Sequence, residues 1–245
     1  MTSARGHRGW LYESCGDYHR CLDPNWSYTP TYLRKMAAVR SYLGALPTGA
    51  KILDVGSGEG VLVEELRRGG WDAIGLDLNY EGDWVRRGDV RAIPFPSSSF
   101  DAVTCLDTLE HLEFVDQPKA LAEVNRVLRP GGVLLLSVPN LAHLNSRLRL
   151  LLRGRLDRSD SEAEHPGERP LSEYRRLLEA GGFTVDAATG VTLTVPLLYR
   201  RLVCRHPASL RWLHDLFEPL ASRLPSLSLL AILRCRSCTD VATRT

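Results

Sequence analysis

Residues 52–60, with the sequence ILDVGSGEG, constrain the fold more than any other stretch of the chain. The apolar residues at its start predict a buried strand, and the three glycines predict a tight turn into a helix, because glycine adopts positive φ without steric cost. A dinucleotide-binding turn has the spacing G-x-G-x-x-G and holds a pyrophosphate at the helix N-terminus. Here Asp54 stands two residues ahead of the first glycine. A carboxylate there repels phosphate, so the pattern favours a nucleotide-like ligand that carries positive charge.

The rest of the chain alternates between strand-like and helix-like segments, which is typical of a mostly parallel sheet with right-handed crossovers. Strands are predicted near residues 51–55, 72–77, 84–88, 100–105, 132–138, 183–188 and 229–233. Helices are predicted near residues 32–46, 59–68, 117–128, 140–155, 172–180 and 196–224. Ser172 is the expected N-cap of the helix that ends near Ala180.

Four further blocks follow the glycine-rich run in a fixed order. Asp77 closes the second predicted strand, and residues 88–90 (GDV) come after the third. Residues 106–111 (LDTLEH) follow the fourth strand, and residues 121–132 (LAEVNRVLRPGG) predict a helix closed by a Pro-Gly-Gly turn. With residues 52–60, these blocks resemble the class I S-adenosylmethionine (SAM) dependent methyltransferases, and the resemblance covers roughly residues 50 to 140.

The resemblance implies an α/β, Rossmann-like fold around a doubly wound seven-stranded sheet. Its strand order would be 3-2-1-4-5-7-6, with strand 7 antiparallel to the others. The chain would then be a single domain over residues 1–245, with an N-terminal cap segment at 1–48, a SAM-binding core at 49–190, and C-terminal helices with the last strand at 191–245.

The resemblance also implies that SAM is the cofactor and suggests a role for each acid. Asp54 would lie near the methionine amino group, Asp77 would accept hydrogen bonds from the ribose, and Leu78 would flank the adenine. Asp89, with the Val90 backbone beside it, would receive the adenine amino group. A loop aspartate that caps its own turn is the alternative reading of Asp89. The expected cofactor-binding residues are Asp54, Gly56, Ser57, Gly58, Gly60, Asp77, Leu78, Asp89, Val90 and Asp107.

Histidines near the carboxyl ends of the strands are the candidates for proton transfer. His111 follows the fourth strand, and the ordinary histidine pKa of about 6.5 suits a base that works near neutrality. His143 follows the fifth strand and is the second catalytic candidate, and His165 lies in a polar loop. A histidine that only holds the start of a helix is the alternative for His111.

The acceptor is expected to be a small or lipid-like molecule that is methylated at oxygen. The segment after the fourth strand reads LDTL at residues 106–109, without the Asn/Asp-Pro-Pro-aromatic motif of nucleic-acid amino methyltransferases. A formal charge of +2 also offers little attraction for nucleic acid, which is therefore not an expected partner. Transfer to nitrogen or carbon is one alternative, and a non-catalytic SAM-binding regulatory domain is another.

Composition excludes a few further classes. No apolar run approaches the length of about 18 residues that spans a membrane, and the first twenty residues lack the apolar centre of a signal peptide, so we expect a cytoplasmic protein. Cys235 and Cys238 form a C-x-x-C, but structural zinc needs four ligands, and we expect no metal. Arginines on and after residues 140–155 leave peripheral membrane contact open beside an ordinary solvated face, and a homodimer stays open as well.

Overall fold

The computed structural model describes residues 20, 22–156, 165–195, 198–199 and 204–238. Within these residues the helices are α1 (Thr29–Leu43), α2 (Val61–Arg68), α3 (Gln117–Val127), α4 (Leu144–Arg153), α5 (Leu171–Ala180) and α6 (Arg211–Arg223). The strands are β1 (Lys51–Val55), β2 (Asp72–Asp77), β3 (Val85–Arg87), β4 (Phe100–Leu106), β5 (Leu128–Pro139), β6 (Phe183–Leu193) and β7 (Ser228–Ser237).

The strands form one sheet in the order β3-β2-β1-β4-β5-β7-β6, which confirms the predicted order. The pairs from β3 to β5 are parallel, whereas β7 is antiparallel to both β5 and β6. The carboxyl ends of β1, β2 and β4 therefore lie side by side at one edge of the sheet. In open sheets of this kind ligands bind outside that edge.

Apolar side chains cover both faces of the sheet because successive residues of a strand point to opposite sides. Leu53 of β1 belongs to a cluster that includes Leu121 of α3 and Tyr174 of α5. Ile52 of the same strand belongs to a second cluster with Val39 of α1 and Val63 of α2. The sheet is thus the middle layer between two layers of helices, which is the predicted arrangement.

Most predicted helix starts differ from those observed: the helix expected from residue 32 begins at Thr29, and within the described part of 196–224 the helix covers Arg211–Arg223. Two of the shifts have a visible cause. The helix expected from residue 140 begins at Leu144, because Asn140 turns its side chain to the backbone: its amide nitrogen donates to the Ser226 and Ser228 carbonyls at 3.0 and 3.1 Å. The helix assigned to a Ser172 cap begins at Leu171, after Pro170. The Leu171 amide donates to the Asn140 side chain at 3.1 Å, so Asn140 satisfies the first amide of this helix from a distant part of the chain.

The apolar side of α4 is less buried than its sequence suggests. Leu151 and Leu152 expose 82% and 71% of their surface.

None of the helices in the described ranges combines the length and the apolar content needed to cross a membrane. Cys235 is a buried residue of β7, whereas Cys238 lies beyond the strand and is exposed, so the two thiols have different surroundings.

Candidate functional site

The loop between β1 and α2 has the backbone conformation that its glycines predict. Gly56, Gly58 and Gly60 have φ of 72°, 55° and 84°. A Cβ on Gly56 would overlap the Thr108 side chain as well. The Gly56 amide donates to the Leu76 carbonyl at 2.8 Å, which ties the loop to β2. The hydroxyl oxygen of Ser57 in the same loop is buried and has no hydrogen-bond partner within the described structure.

Asp77 joins the glycine-rich loop to the end of β2. One carboxylate oxygen accepts a hydrogen bond from the Gly58 amide at 2.9 Å, and the other accepts from the Asn79 and Tyr80 amides at 2.8 and 3.2 Å. Leu78, the next residue, is 56% exposed. Asp77 therefore lies against the loop that should hold the cofactor, and its ribose role stays a prediction.

Asp54 is a buried acid of this edge, with 5% of its surface exposed. The Thr104 hydroxyl of the neighbouring strand β4 donates to its carboxylate at 2.6 Å. Burial raises the pKa of Asp54 to about 7; the nearby Asp77 charge acts in the same direction, while the Thr104 hydrogen bond and the Lys35 charge oppose it. A bound cation would stabilise the ionised form of such a carboxyl group.

Asp107 follows β4 and is the centre of a network that reaches α1. The Lys35 ammonium and the Tyr28 hydroxyl donate to one of its carboxylate oxygens at 2.5 and 2.9 Å, and the Ser137 hydroxyl donates to the other at 2.5 Å. Burial acts to raise the pKa of Asp107, but the Lys35 charge and these hydrogen bonds outweigh it and the pKa is lowered. Asp107 also has a φ of 48°, which is uncommon for a residue with a side chain.

The sequence interpretation missed Lys35, Tyr28 and Ser137. Lys35 is only 3% exposed although it is charged, because its side chain lies over the rings of Tyr28 and Tyr32 and ends at Asp107. A signal was available: the position lies beside Tyr32, Met36 and Val39, which form the buried side of α1. A lysine next to such a stripe needs a partner when it is buried.

Asp89 caps its own turn, which is the alternative to adenine binding given above, and Val90 is the first residue of that turn. Asp89 precedes a short 3₁₀ turn at Val90–Ala92, and its carboxylate accepts from the Arg91 amide at 2.8 Å and pairs with the Arg91 guanidinium at 2.7 Å. The hydrogen bonds from Arg91 lower the pKa of Asp89. Arg91 also pairs with Asp116 at 2.6 Å. Adenine recognition by Asp89 stays a prediction and would require its carboxylate to be shared with Arg91.

His111 lies in a short 3₁₀ turn after β4, beside two residues that the sequence did not connect with it. Its ring meets the His165 ring edge-on, with centroids 4.7 Å apart. Glu110 is 1% exposed, and one of its carboxylate oxygens, Oε2, is buried without a hydrogen-bond partner. Burial, together with the Asp107 charge, holds the pKa of Glu110 well above its usual range. This histidine–carboxylate group lies next to the predicted cofactor edge.

The contacts of His143 are those of a residue that caps a helix. It is 4% exposed and precedes α4, where its Nδ1 accepts from the Ser146 amide at 3.4 Å. The same nitrogen lies 2.8 Å from the Thr194 hydroxyl. These contacts hold the ring as a helix cap, and a catalytic role for His143 stays a prediction.

Comparison with known proteins gives consistent matches. A family model described as a methyltransferase domain matches residues 26–188. A probable S-adenosylmethionine-dependent methyltransferase of Mycolicibacterium smegmatis is 31% identical over 170 residues, which cover 65% of this chain and 62% of the relative. A ubiquinone biosynthesis O-methyltransferase of Methylococcus capsulatus is 34% identical over 158 residues, which cover 57% of this chain and 65% of the relative. The aligned region thus spans less than two thirds of either relative.

A solved structure shows the same fold. The 1,6-didemethyltoxoflavin-N1-methyltransferase of Burkholderia thailandensis, with bound 1,6-didemethyltoxoflavin and S-adenosylhomocysteine, superposes with a TM-score of 0.55. It covers 95% of this chain and 86% of its own, at 19% identity. At that identity the likeness establishes the fold and leaves the acceptor to be argued from the site.

Proposed function

The chain belongs to the class I SAM-dependent methyltransferase family, and we propose that it transfers the SAM methyl group to a small-molecule or lipid-like acceptor at oxygen. The observation that carries the proposal is the junction of β1 and β2, where the glycine-rich loop is hydrogen-bonded to Asp77 and Leu76, and where the buried Asp54 is held by Thr104 at the end of β1. The name of the Methylococcus relative supports oxygen as the methylated atom.

The residues at this junction fit the cofactor chemically. The Asp54 carboxyl group suits the methionine ammonium, since burial leaves it in need of a positive charge. Gly56 and Gly58 have no side chains, so the cofactor can approach their backbone closely. The buried Ser57 hydroxyl has no hydrogen-bond partner in the described structure, and a ligand could supply one. We assign the ribose to Asp77, and the adenine to Leu78, Asp89 and Val90. Asp107 borders the acceptor side.

When bound, SAM supplies an electrophilic methyl group on a sulfonium. The chain's own residues then have to place the acceptor and remove its proton. Held in near-attack geometry, reacting groups gain about 7–11 kcal/mol from placement alone. We assign proton removal to His111, which is exposed to solvent and follows β4 at the cofactor edge. The Lys35–Asp107 ion pair lies beside this edge and supplies polar groups next to the proposed acceptor region.

Calorimetric titration of the protein with SAM and S-adenosylhomocysteine, with NAD and ATP as controls, tests the cofactor assignment. Micromolar binding of the two sulfur ligands alone is expected, and an Asp77→Asn variant should bind them more weakly. Asp186→Asn is the matched control, because Asp186 pairs with Arg236 on β7, away from the site. Binding of NAD in place of SAM would contradict the proposal.

A panel of phenols, catechols and amines with labelled SAM then tests the acceptor class. Label in hydroxyl-bearing acceptors supports transfer to oxygen. Label in amines alone would favour transfer to nitrogen, and SAM binding without turnover on any acceptor would favour a regulatory SAM-binding domain.

A further inference from the structure

Three residues with metal-binding side chains meet beside the proposed acceptor region. Glu110 and His111 come from the turn after β4, and His165 comes from the segment before α5. One potential ligand atom from each of them lies within 4.8 Å of the other two. Fifty-four residues separate His111 from His165, so the fold rather than local sequence brings them together.

The Glu110 carboxylate indicates what is needed at this place. It is 1% exposed, and its Oε2 has no hydrogen-bond partner within the described structure. A buried carboxylate oxygen without a partner is costly, and native structures normally satisfy such atoms. Lys35, whose charge acts on Glu110, is already engaged by Asp107. A positive ion at Glu110 would satisfy the free oxygen.

A second carboxylate stands behind His165. Glu168 is fully buried, and its Oε2 lies 3.9 Å from the His165 Nδ1. Metal-binding histidines commonly place one ring nitrogen toward a carboxylate and the other toward the ion. Glu168 is therefore placed to act as the outer-sphere partner of His165.

The backbone around the three side chains is well fixed. The Gly167 amide donates to the Glu110 carbonyl at 3.0 Å. The Gln117 amide nitrogen donates to the Leu109 and Gly167 carbonyls at 3.0 and 2.8 Å, which joins the two segments. A Cβ on Gly167 would overlap the Leu112 carbonyl, so the segments approach as closely as the backbone allows.

We propose that Glu110, His111 and His165 bind a divalent first-row transition-metal ion. Two imidazoles and one carboxylate suit ions such as Zn²⁺, Mn²⁺ or Fe²⁺, whereas Mg²⁺ and Ca²⁺ prefer oxygen ligands throughout. Three protein ligands also leave a coordination position open, as in catalytic sites. His111 is the solvent-exposed member of the three. This assignment departs from the sequence-based expectation of no metal.

The ion would also define the acceptor, an extension that rests on the proposed methyl transfer. An oxygen acceptor bound to a divalent ion loses its proton more readily, because the ion lowers the pKa of the bound hydroxyl group. Acceptors with two adjacent hydroxyl groups would then be preferred to simple alcohols. The released proton would pass to solvent water, the acceptor oxygen would bond to the methyl carbon as the carbon–sulfur bond breaks, and S-adenosylhomocysteine would leave. His111 would then be a metal ligand and not the base.

Metal binding is tested on tag-free, chelator-treated protein with Co²⁺ by visible absorption and with Zn²⁺ by calorimetry. We expect one equivalent of each ion to bind. Loss of an outer-sphere partner typically weakens metal binding by about 10–100-fold, so Glu110→Gln and His165→Asn should weaken it by at least about 100-fold. His206→Asn is the matched control because His206 is exposed and lies outside the cluster.

Circular dichroism and SAM affinity of each variant show whether the fold persists. If Glu110→Gln fails to fold, His111→Asn at the exposed position makes the same comparison without disturbing the core. Unchanged Co²⁺ binding in His111→Asn and His165→Asn, or no binding of either ion at millimolar concentration, would overturn the metal site. Because SAM titration is a separate measurement, failure of the metal site and failure of the methyltransferase proposal are distinguishable.

Discussion

Asp54 is the residue whose protonation state should report cofactor binding. Its pKa of about 7 in the protein lies above the ordinary value because burial disfavours the charged form. Below the unfolded-state pKa both states hold the proton and no penalty arises. As pH rises towards 7 the unfolded chain loses the proton while the folded chain keeps it, so this group lowers stability by about 1.4 kcal/mol per pH unit.

Replacing Asp54 removes this pH-dependent loss of stability. Asp54→Asn should be more stable than the natural protein at pH 8, with the difference shrinking towards pH 4, although its SAM affinity should fall. Urea unfolding at several pH values measures the effect. An Asp54→Asn variant that loses the same stability at every pH would contradict the raised pKa.

SAM binding should release a proton near pH 6.5, because the methionine ammonium favours the ionised Asp54 carboxylate. The calorimetric binding enthalpy should therefore depend on the ionisation enthalpy of the buffer at pH 6.5, and the number of protons released should fall as the pH rises past 7. Asp54→Asn should abolish the dependence. Equal enthalpies in all buffers for the natural protein would speak against the contact between Asp54 and the ammonium.

The sequence predicts site residues at several strand ends, but only those of one short stretch have their relation fixed locally. Asp54 and the three glycines lie within seven residues, and a strand–turn–helix fixes their relation locally. Lys35 and Asp107 are 72 residues apart, and their contact depends on how α1 packs on the sheet. Glu110 and His165 depend likewise on the packing at Gly167, which no local pattern records.

At the scale of elements, the Lys35–Asp107 pair is the polar link between α1 and the end of β4. Removing one partner of a buried ion pair leaves an uncompensated charge and typically costs about 3–5 kcal/mol. Asp107 retains 24% side-chain exposure, which reduces the expected loss to about 2 kcal/mol for Lys35→Met. Combining it with Asp107→Asn should restore part of this stability, because the charge is then gone.

A control lies on the same helix. Arg40 of α1 pairs with Glu65 of α2, but both side chains are largely exposed, at 50% and 41%. Exposed pairs contribute about 0–1 kcal/mol, so Arg40→Met should change the free energy of unfolding little. Denaturant unfolding of the three variants measures both effects, and equal losses in Lys35→Met and Arg40→Met would refute the distinction.

Helix starts were the least predictable elements. Residues 140–143 share the composition of the helix that follows, and only the distant Ser226 and Ser228 carbonyls draw the Asn140 side chain away from it. The next helix begins after Pro170 and not after Ser172, and the distant Asn140 side chain accepts a hydrogen bond from its Leu171 amide. Composition and periodicity locate a helix, but a side chain from elsewhere fixes its first residue.

At the scale of the whole molecule, the strand order came from family resemblance rather than from periodicity. Alternating strands and helices predict a parallel sheet, and they contain no sign that β7 enters antiparallel between β5 and β6. The pairing is extensive, running from Val133 opposite Arg236 to Pro139 opposite Leu230. The last strand therefore pairs with residues about 100 positions earlier in the sequence. The cofactor edge, in contrast, lies at β1, β2 and β4.

Because the proposed cofactor site joins the three central strands, SAM should stabilise the whole chain and not one loop. A ligand at 100 times its dissociation constant raises the free energy of unfolding by about 2.7 kcal/mol when it binds only the folded state.

Gly56→Ala should remove most of that gain, since its φ of 72° and the Thr108 side chain both oppose a Cβ. Gly131→Ala has a similar φ of 73° without nearby atoms and lies far along the chain in β5. Thermal unfolding with and without SAM compares the two: both variants should be less stable without ligand, but the gain from SAM should persist in Gly131→Ala alone, and an equal gain in Gly56→Ala would place the cofactor away from this loop.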